Sequence, residues 1–295
     1  MQAELIADTR CATGESPVWV ANEQALYWTD IPAGRQWRWQ AANGALSHRD
    51  APEALACMAP TEDGTAWLAG MASGVFLLQP KDNGRLSEKR LATAPHARNG
   101  MRFNDGRCDR QGRFWAGTML MDMAAAASVG VLYRYTTEAG LLAQLDGFIT
   151  PNGLAFSPDG ETMYLSDSHP SVQAIWAFDY DTDTGTPHNR RLFVDMKPLA
   201  GRPDGAAVDA DGCYWICGND AGLVHRFTPE GRLDRSLAVP VKKPAMCAFG
   251  GTNLDTLFVT SIRPDGVDLS DQPPAGGVFA LRPGVTGLAE PRFRP

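Results

Sequence analysis

Short apolar runs, each preceded by a polar turn and carrying one aromatic residue, recur along the whole chain. The clearest copies are CDRQGRFWAGT (108–118), SPDGETMYLSD (157–167) and DADGCYWICG (209–218). Weaker copies are TEDGTAWLAG (61–70), ANEQALYWTD (21–30) and GTNLDTLFVTS (251–261). The Asp-Gly and Gln-Gly pairs predict hairpin turns, because Gly tolerates positive φ. No long stretch has helical periodicity, so the pattern predicts β-strands throughout.

The repeated aromatic residues recur every 39–51 positions, at Trp28, Trp67, Trp115, Tyr164, Trp215 and Phe258. Further strand-like runs lie between them, at 130–135, 174–181, 223–231 and 276–284. A period of about 40–50 residues with four strands is typical of a propeller blade. We therefore predict an all-β fold, a single six-bladed β-propeller domain over residues 1–295. The alternative, a pair of β-sandwiches, would not explain the constant phase.

Four polar residues hold nearly the same position ahead of the repeated aromatics. Asn104 and Asp204 precede theirs by eleven residues, Asn152 by twelve and Glu15 by thirteen. Equivalent positions in a closed ring converge on one axis, which predicts a central site at the mouth of the channel. Taken singly, each residue could simply be a turn residue next to Gly or Pro. The other two repeats have apolar pairs at this position, Ala56–Cys57 and Met246–Cys247, which a purely structural role would not explain.

Carboxylate and amide oxygens are hard ligands, so this set favours one divalent cation, calcium, magnesium or manganese, with zinc or iron left open. Such an ion polarises a carbonyl group and acidifies water. Arg102 lies two residues before Asn104, and on a strand this spacing puts both side chains on one face. Its guanidinium would bind a carboxylate or a polyol. The neighbouring Asp105 is expected to point away and cap a turn.

Composition and net charge limit the classes of partner that the protein is expected to bind. The formal net charge of −7 and the lack of a basic stripe argue against nucleic acid. The sequence contains no run of 18 apolar residues, so no membrane span is predicted. The first ten residues do not have the pattern of a secretory signal. Six dispersed cysteines without metal-binding spacing are interpreted as buried thiols in a reducing cytoplasm. His169 is expected to be a solvated loop histidine.

Several longer segments, in order, resemble the gluconolactonase and regucalcin (senescence marker protein) family of six-bladed propellers. They are GESPVW, YWTDIPAGRQWRW, RFNDGRCDRQGRFWAGTM, PNGLAFSPDG, MYLSDS, FDYDTDTG, PDGAAVDADGCYW and CAFGG with the later LFVTS and GGVFAL. The resemblance implies a metal held by Glu15, Asn152 and Asp204, with Asp204 also acting as general base. It assigns Arg102 and Asn104 to the hydroxyl groups of a substrate.

The resemblance implies hydrolysis of a sugar-acid lactone, such as a glucono-, galactono-, arabinono- or xylonolactone, to the open acid. An aldarolactone also stays open, and its extra carboxylate would need a second cation such as Arg35 or Arg102.

Relatives often place a substrate-contacting Glu shortly after GTM, where this chain has Asp122. The apolar residues around Asp122, from Met119 to the alanines at 124–127, are interpreted as a flexible lid over the channel mouth. The segment 123–130 could hold a helical turn but is expected to lie in a loop. Two alternatives stay open, a calcium-dependent phosphotriesterase-like hydrolase and a non-catalytic, regucalcin-like calcium-binding protein.

Overall fold

The computed structural model describes residues 2–295 and contains six antiparallel sheets of four strands each. The first strands of neighbouring sheets contact one another all the way round, which closes the sheets into a ring. The predicted single six-bladed β-propeller is therefore confirmed. Within residues 2–295 the only helical element is the 3-10 turn Met123–Ala125, and no helix there is long and apolar enough to span a membrane.

The inner strand of every blade is buried along almost its whole length. In blade order the inner strands are β2 (Gly14–Val20), β6 (Leu55–Pro60), β10 (Met101–Cys108), β14 (Pro151–Phe156), β18 (Arg202–Val208) and β22 (Pro244–Gly250). The second strands are β3 (Ala25–Asp30), β7 (Trp67–Met71), β11 (Phe114–Leu120), β15 (Thr162–Asp167), β19 (Tyr214–Asn219) and β23 (Thr256–Ser261).

The outer half of each blade is increasingly exposed. The third strands are β4 (Arg35–Gln40), β8 (Gly74–Pro80), β12 (Gly130–Thr136), β16 (Ala174–Asp181), β20 (Leu223–Phe227) and β24 (Val278–Leu281). The fourth strands are β5 (Leu46–Asp50), β9 (Leu86–Thr93), β13 (Gly140–Phe148), β17 (Thr186–Asp195), β21 (Leu233–Ala238) and β1 (Glu4–Ala7). Because β1 pairs with β24, the start of the chain completes the last blade and locks the ring.

The repeated aromatic residues all lie on second strands, and all six are buried between blades. The turn before two of them is held by a buried aspartate, six residues ahead of the tryptophan. The Asp209 carboxylate accepts hydrogen bonds from two backbone N–H groups of its own turn and from Trp215 Nε1 at 2.8 Å. Asp109 bonds its own turn and Trp115 in the same way. These bonds explain why a polar turn and an apolar strand recur together.

The C-terminal segment crosses the base of the channel, at the end opposite the starts of the inner strands. Gly287 bridges to Asp209 in blade 5, and Phe293 bridges to Thr61 in blade 2. Between these contacts, Glu290 forms a salt bridge of 3.4 Å with the buried Arg107 on β10. The segment therefore covers the base, and the candidate site lies at the other end. All six cysteines are buried free thiols, as expected.

Gly153 on β14 offers a test of how tightly the inner strands are packed. Its φ is +60°, and an added Cβ would lie 2.5 Å from Tyr214 Oη and 2.8 Å from Ser166 Oγ. Gly140 has a similar φ of +71° but nothing within 4 Å of its added Cβ. We expect Gly140→Ala to cost about 1 kcal/mol of unfolding free energy, from backbone conformation alone. Gly153→Ala should cost roughly 2 kcal/mol or more, because the clash adds to this strain. Urea unfolding of both variants measures the difference, and equal losses would contradict it.

Candidate active site

The four residues selected by repeat phase lie on the inner strands of four blades, close to where each strand begins. They are Glu15 on β2, Asn104 on β10, Asn152 on β14 and Asp204 on β18, and all four are buried. Hydrogen bonds join three of these blades. Asn104 Nδ2 donates to Pro151 O in the next blade at 3.1 Å, and Asn152 Nδ2 donates to Asp204 Oδ1 at 2.7 Å.

A β-bulge interrupts the inner strand of every blade at this level. The register shifts between Glu15/Val18, Leu55/Cys57, Phe103/Gly106, Asn152/Ala155, Pro203/Ala206 and Pro244/Cys247. A bulge adds a residue to one strand and redirects the side chains beside it. The interpretation of these residues as ordinary turn residues is therefore wrong. Gly153, directly after Asn152, has a positive φ because it lies in the bulge inside this strand. Turns favour glycine for the same reason, so the sequence pattern of the bulge resembles that of a turn.

Aspartates at the ends of two second strands fix where the neighbouring inner strands begin. The Asp30 carboxylate accepts the backbone N–H groups of Ala12 and Thr13 at 3.2 and 3.1 Å, just before Glu15. The Asp167 carboxylate accepts the N–H groups of residues 149 and 150 at 2.7 and 3.1 Å, just before Asn152. Blades 1 and 4 thus each position their own site residue through charge-assisted contacts to the backbone.

Asp204 is held by amides on both sides. Its Oδ1 accepts from Asn152 Nδ2 at 2.7 Å, and its Oδ2 accepts from Asn219 Nδ2 at 2.6 Å. Asn152 Nδ2 also donates to Ser168 Oγ at 2.8 Å. With both amide hydrogens used, the Asn152 side chain can point only its carbonyl oxygen toward other groups. That Oδ1 is buried and has no hydrogen-bond partner within residues 2–295.

The buried carboxyl groups of the site make one another's ionisation less favourable. Burial raises the pKa of Glu15 well above its usual range, and the negative charges of Asp204 and Asp105 raise it further, while Arg102 opposes them. Burial likewise raises the pKa of Asp204 to about 7, although the Asn219 hydrogen bond and the charge of Arg202 act in the other direction. Two ionised carboxylates here would be unfavourable without a compensating positive charge.

The predicted placement of Arg102 beside Asn104 is confirmed. Arg102 Nη1 donates to Asn104 Oδ1 at 2.9 Å and to the Phe103 carbonyl at 2.7 Å. It forms no salt bridge to any carboxylate in the described chain, residues 2–295. Burial lowers its pKa, while the charges of Glu15 and Asp204 act to raise it, so this guanidinium lies near both carboxylates.

The expectation that Asp105 caps a turn is wrong. Asp105 is buried, and its Oδ2 accepts the backbone N–H of Leu154 in the next blade at 2.9 Å. Its Oδ1 has no hydrogen-bond partner in the part of the chain that the structure describes, and burial raises its pKa. The bulge between Phe103 and Gly106 is the reason, because it breaks the strict alternation of side chains that the expectation assumed.

Asp122 lies outside this hydrogen-bonded group. It is exposed and directly precedes the 3-10 turn, without a side-chain hydrogen bond to it. Of the segment interpreted as a lid, Met119 and Leu120 belong instead to β11 and are buried. The expectation of a loop at 123–130 is wrong at its start, where Met123–Ala125 form a 3-10 turn.

The expectation of a solvated His169 is also wrong, since its side chain is buried. One ring nitrogen lies 2.7 Å from Ser171 Oγ, and Nε2 lies 3.2 Å from the carbonyl oxygen of Met123. His169 thus ties the loop after β15 to the 3-10 turn. A histidine that bridges two loops in this way is satisfied by its neighbours, and nothing in sequence spacing distinguishes it from an exposed one.

The residue types at the site fit a hard divalent cation. Glu15 and Asp204 have raised pKa values, and the buried Asn152 amide oxygen has no hydrogen-bond partner within residues 2–295. A bound cation would stabilise all three of these oxygen donors. No cluster of three or more His, Cys, Asp or Glu suited to a metal ion occurs in residues 2–295. The candidate set reaches three donors by including the Asn152 amide, and it contains no soft ligand.

Sequence spacing missed several residues that complete the site. They are Ser168 and Asn219, which bond Asn152 and Asp204, and the buried Asp105. A signal did exist for Asn219. Asp or Asn ends the second strands of three blades, as Asp30, Asp167 and Asn219, shortly after the repeated aromatic residue.

Residues 13–263 match the family model described as the SMP-30/gluconolactonase/LRE-like region, and the chain belongs to that family. The family predicted from the sequence is therefore confirmed. The chain is 41% identical to the 6-deoxy-6-sulfogluconolactonase of Pseudomonas putida, over 95% of this chain and 94% of that protein. It is 35% identical to the L-arabinolactonase of Azospirillum brasilense, over 99% of this chain and 95% of that one.

Among solved structures, the calcium-binding protein regucalcin of Agrobacterium tumefaciens superimposes with a TM-score of 0.91. It shares 27% identity, and the match covers 99% of this chain and 97% of that one. Lactonase names among the relatives support the expectation of a lactone-hydrolysing enzyme.

The raised pKa of Asp204 predicts that metal-free protein loses stability as pH rises. Between an ordinary carboxyl pKa of about 4 and the folded value of about 7, the folded state binds more protons than the unfolded state. This contribution to the unfolding free energy is present below about pH 4 and is lost as pH rises through 7. Thermal unfolding in chelator from pH 5 to 8 measures the slope.

Asp204→Asn should make this slope shallower, with the remainder due to Glu15. Asp211→Asn is the matched control, because Asp211 lies on the exposed hairpin of the same blade. It should keep the wild-type slope. A slope of wild-type steepness in Asp204→Asn would show that this carboxyl titrates normally in the folded protein.

Proposed function

We propose that the protein is a lactone-hydrolysing enzyme that uses one divalent metal ion to open an aldonolactone to the sugar acid. The observation that carries this proposal is the juxtaposition of two buried carboxyl groups with an amide oxygen and a guanidinium. Among the described residues, 2–295, the amide oxygen has no hydrogen-bond partner and the guanidinium has no ion pair. A lactone hydrolase needs positive charge at a carbonyl oxygen, a base for water and donors for hydroxyl groups. The lactonase relatives support the same reaction class.

Glu15, Asn152 and Asp204 would hold the ion through their side-chain oxygens. A bound divalent ion would polarise the lactone carbonyl and lower the pKa of water. The protein's contribution is to hold these donors in advance of binding. Asn152 can present only its carbonyl oxygen, because both of its amide hydrogens are already donated. Three oxygen donors of this kind can accept calcium, zinc, manganese or iron.

Asp204 is proposed to accept the proton from the attacking water. Burial raises the pKa of Asp204 in the metal-free protein, and a bound cation would lower it again, so that the carboxylate would be available to accept a proton at neutral pH. Its orientation is fixed by the amides of Asn152 and Asn219, one on each carboxylate oxygen. A base held in this way loses little freedom when the substrate binds.

Arg102 and Asn104 are proposed to bind the ring hydroxyl groups of the lactone. Arg102 is half-buried, and its contacts to the Phe103 carbonyl and Asn104 leave other donors of the guanidinium free. Asp122 lies on the exposed loop after β11 and would contact the substrate from above only when that loop closes. In this proposal, these residues of blade 3 and its loop would contact the ring hydroxyl groups that differ between neutral lactones.

Removing the metal should abolish turnover. Protein treated with chelator and passed over a desalting column is assayed for acid release from glucono-, galactono-, arabinono- and xylonolactone. Calcium, zinc, manganese or iron is then added singly, and spontaneous hydrolysis is subtracted. We expect activity to fall to the spontaneous rate and to return with at least one ion, with saturation at one ion per chain.

Two other outcomes would overturn this proposal. Metal binding without turnover of any lactone would favour a calcium-binding protein. Faster turnover of organophosphates than of any lactone would favour a phosphotriesterase-like hydrolase.

Asp204→Asn should lower kcat by at least about 100-fold, because it removes the base and one ligand together. Asp211→Asn, on the hairpin at the other end of the same blade, should keep kcat within about twofold. Circular dichroism and thermal unfolding confirm that both variants are folded. Full activity in folded Asp204→Asn would show that another group acts as the base.

A further inference from the structure

Two cations and one carboxylate form a cluster beside the candidate site, between blades 5 and 6. Arg202, the first residue of β18, approaches Asp220 Oδ2 with its Nε at 2.6 Å. Lys243, just before β22, forms a salt bridge with the other oxygen of the same carboxylate. Asp220 follows β19 directly. We call these three residues the rim cluster.

The rim cluster connects directly to residues that hold the proposed metal ligands. Lys243 Nζ lies 3.4 Å from Asn219 Oδ1, and the amide nitrogen of Asn219 bonds Asp204. On the other side, Arg202 Nη1 donates to the carbonyl of Ser168 at 3.1 Å, and Ser168 Oγ accepts from Asn152. Each cation is therefore linked to a proposed metal ligand through one intervening residue.

The cluster carries excess positive charge that solvent can reach. Two cations share one carboxylate, so the net charge of the three side chains is positive. The side chains of Arg202 and Lys243 are 24% and 28% exposed, so a ligand can contact them without unfolding the rim.

Nothing in the hydrolysis of a neutral lactone requires this charge. The carbonyl, the water and the ring hydroxyls are already provided for by the residues assigned in the proposed function. A Lys and an Arg beside one another are the usual partners of a sulfonate, phosphate or carboxylate group. An anionic group at the terminal carbon of the substrate would contact both cations in place of solvent, partly replacing Asp220.

We propose that the rim cluster binds an anionic group on the terminal carbon of the substrate, so that the preferred substrate is an acidic aldonolactone. This inference rests on the proposed lactonase function and specifies its substrate class. The anionic group stays intact while the lactone ester bond is hydrolysed. The name of the 41% identical relative, 6-deoxy-6-sulfogluconolactonase, contains such a group and supports the proposal.

The first experiment compares kcat/KM for neutral glucono-1,5-lactone with that for its 6-sulfo and 6-phospho counterparts and for a glucarolactone. All four are assayed with the metal-loaded protein. We expect at least one acidic lactone to exceed the neutral one by about tenfold, with an advantage that shrinks as ionic strength rises. The three acidic substrates distinguish sulfonate, phosphate and carboxylate. A wild-type preference for the neutral lactone would overturn the proposal.

Substitutions in the rim cluster test the assignment to residues. Lys243→Gln should lower the ratio of acidic to neutral kcat/KM by about tenfold, which corresponds to loss of one charge-assisted contact. Lys242→Gln is the matched control, because the adjacent Lys242 is 60% exposed and pairs with Asp271 instead. It should leave the ratio at its wild-type value. Equal losses on acidic and neutral substrates in Lys243→Gln would contradict the assignment.

Asp220→Asn should change the ratio in the opposite direction. It removes the carboxylate that competes with the substrate for both cations. Asparagine also tolerates the φ of +77° at this position, so the backbone should be kept. A raised ratio supports the proposal, and a lowered ratio shows that Asp220 contributes more than charge competition and contradicts it.

Equilibrium binding tests the proposed role of the rim cluster independently of turnover. Calorimetric titration with the open-chain acids 6-phosphogluconate and gluconate should show tighter binding of the former, lost in Lys243→Gln and kept in Lys242→Gln. Hydrolysis of neutral but not acidic lactones would overturn the rim proposal and leave the lactonase function standing. Absence of turnover on every lactone, neutral or acidic, would overturn both.

Discussion

Closure of the six blades into a ring is the constraint on which the rest of the structure depends. The pairing of β1 with β24 places the start of the chain in the last blade. Closure holds the six inner strands side by side around one axis, and the bulge in each strand turns side chains at the same level. Glu15 and Asp204 come from distant parts of the sequence, and only this closure brings their charges within reach of each other.

The ring supports a site that would be unfavourable if it stood alone. Two buried carboxyl groups raise each other's cost of ionisation, and a third, Asp105, lies near them. The amides of Asn152 and Asn219 hold the Asp204 carboxylate but bring no full positive charge. A site of this kind favours whatever cation can occupy it, and the stability of the surrounding sheets keeps the donors from moving apart.

Repeat phase predicted more of this site than any single motif did. Trp115 and Trp215 mark second strands because each packs between blades, and the same packing recurs in every repeat. Counting back from them located Asn104 and Asp204 on inner strands, since blades of similar length keep a similar phase. Asp105 was misjudged because a bulge breaks strict alternation. His169 was misjudged because its partner, Met123, lies in another blade's loop.

By itself, the amino-acid sequence determined the number of blades, the strands that carry the aromatic residues and the oxygen donors available on the inner strands. These features follow from local periodicity and turn chemistry, which are properties of neighbouring residues. Only the tertiary structure decided which polar groups meet, which carboxyl groups are forced toward neutrality and where Lys243 and Arg202 converge. The reason is physical, because burial and contacts between blades exist only after the ring has closed, and no spacing along the chain encodes them directly.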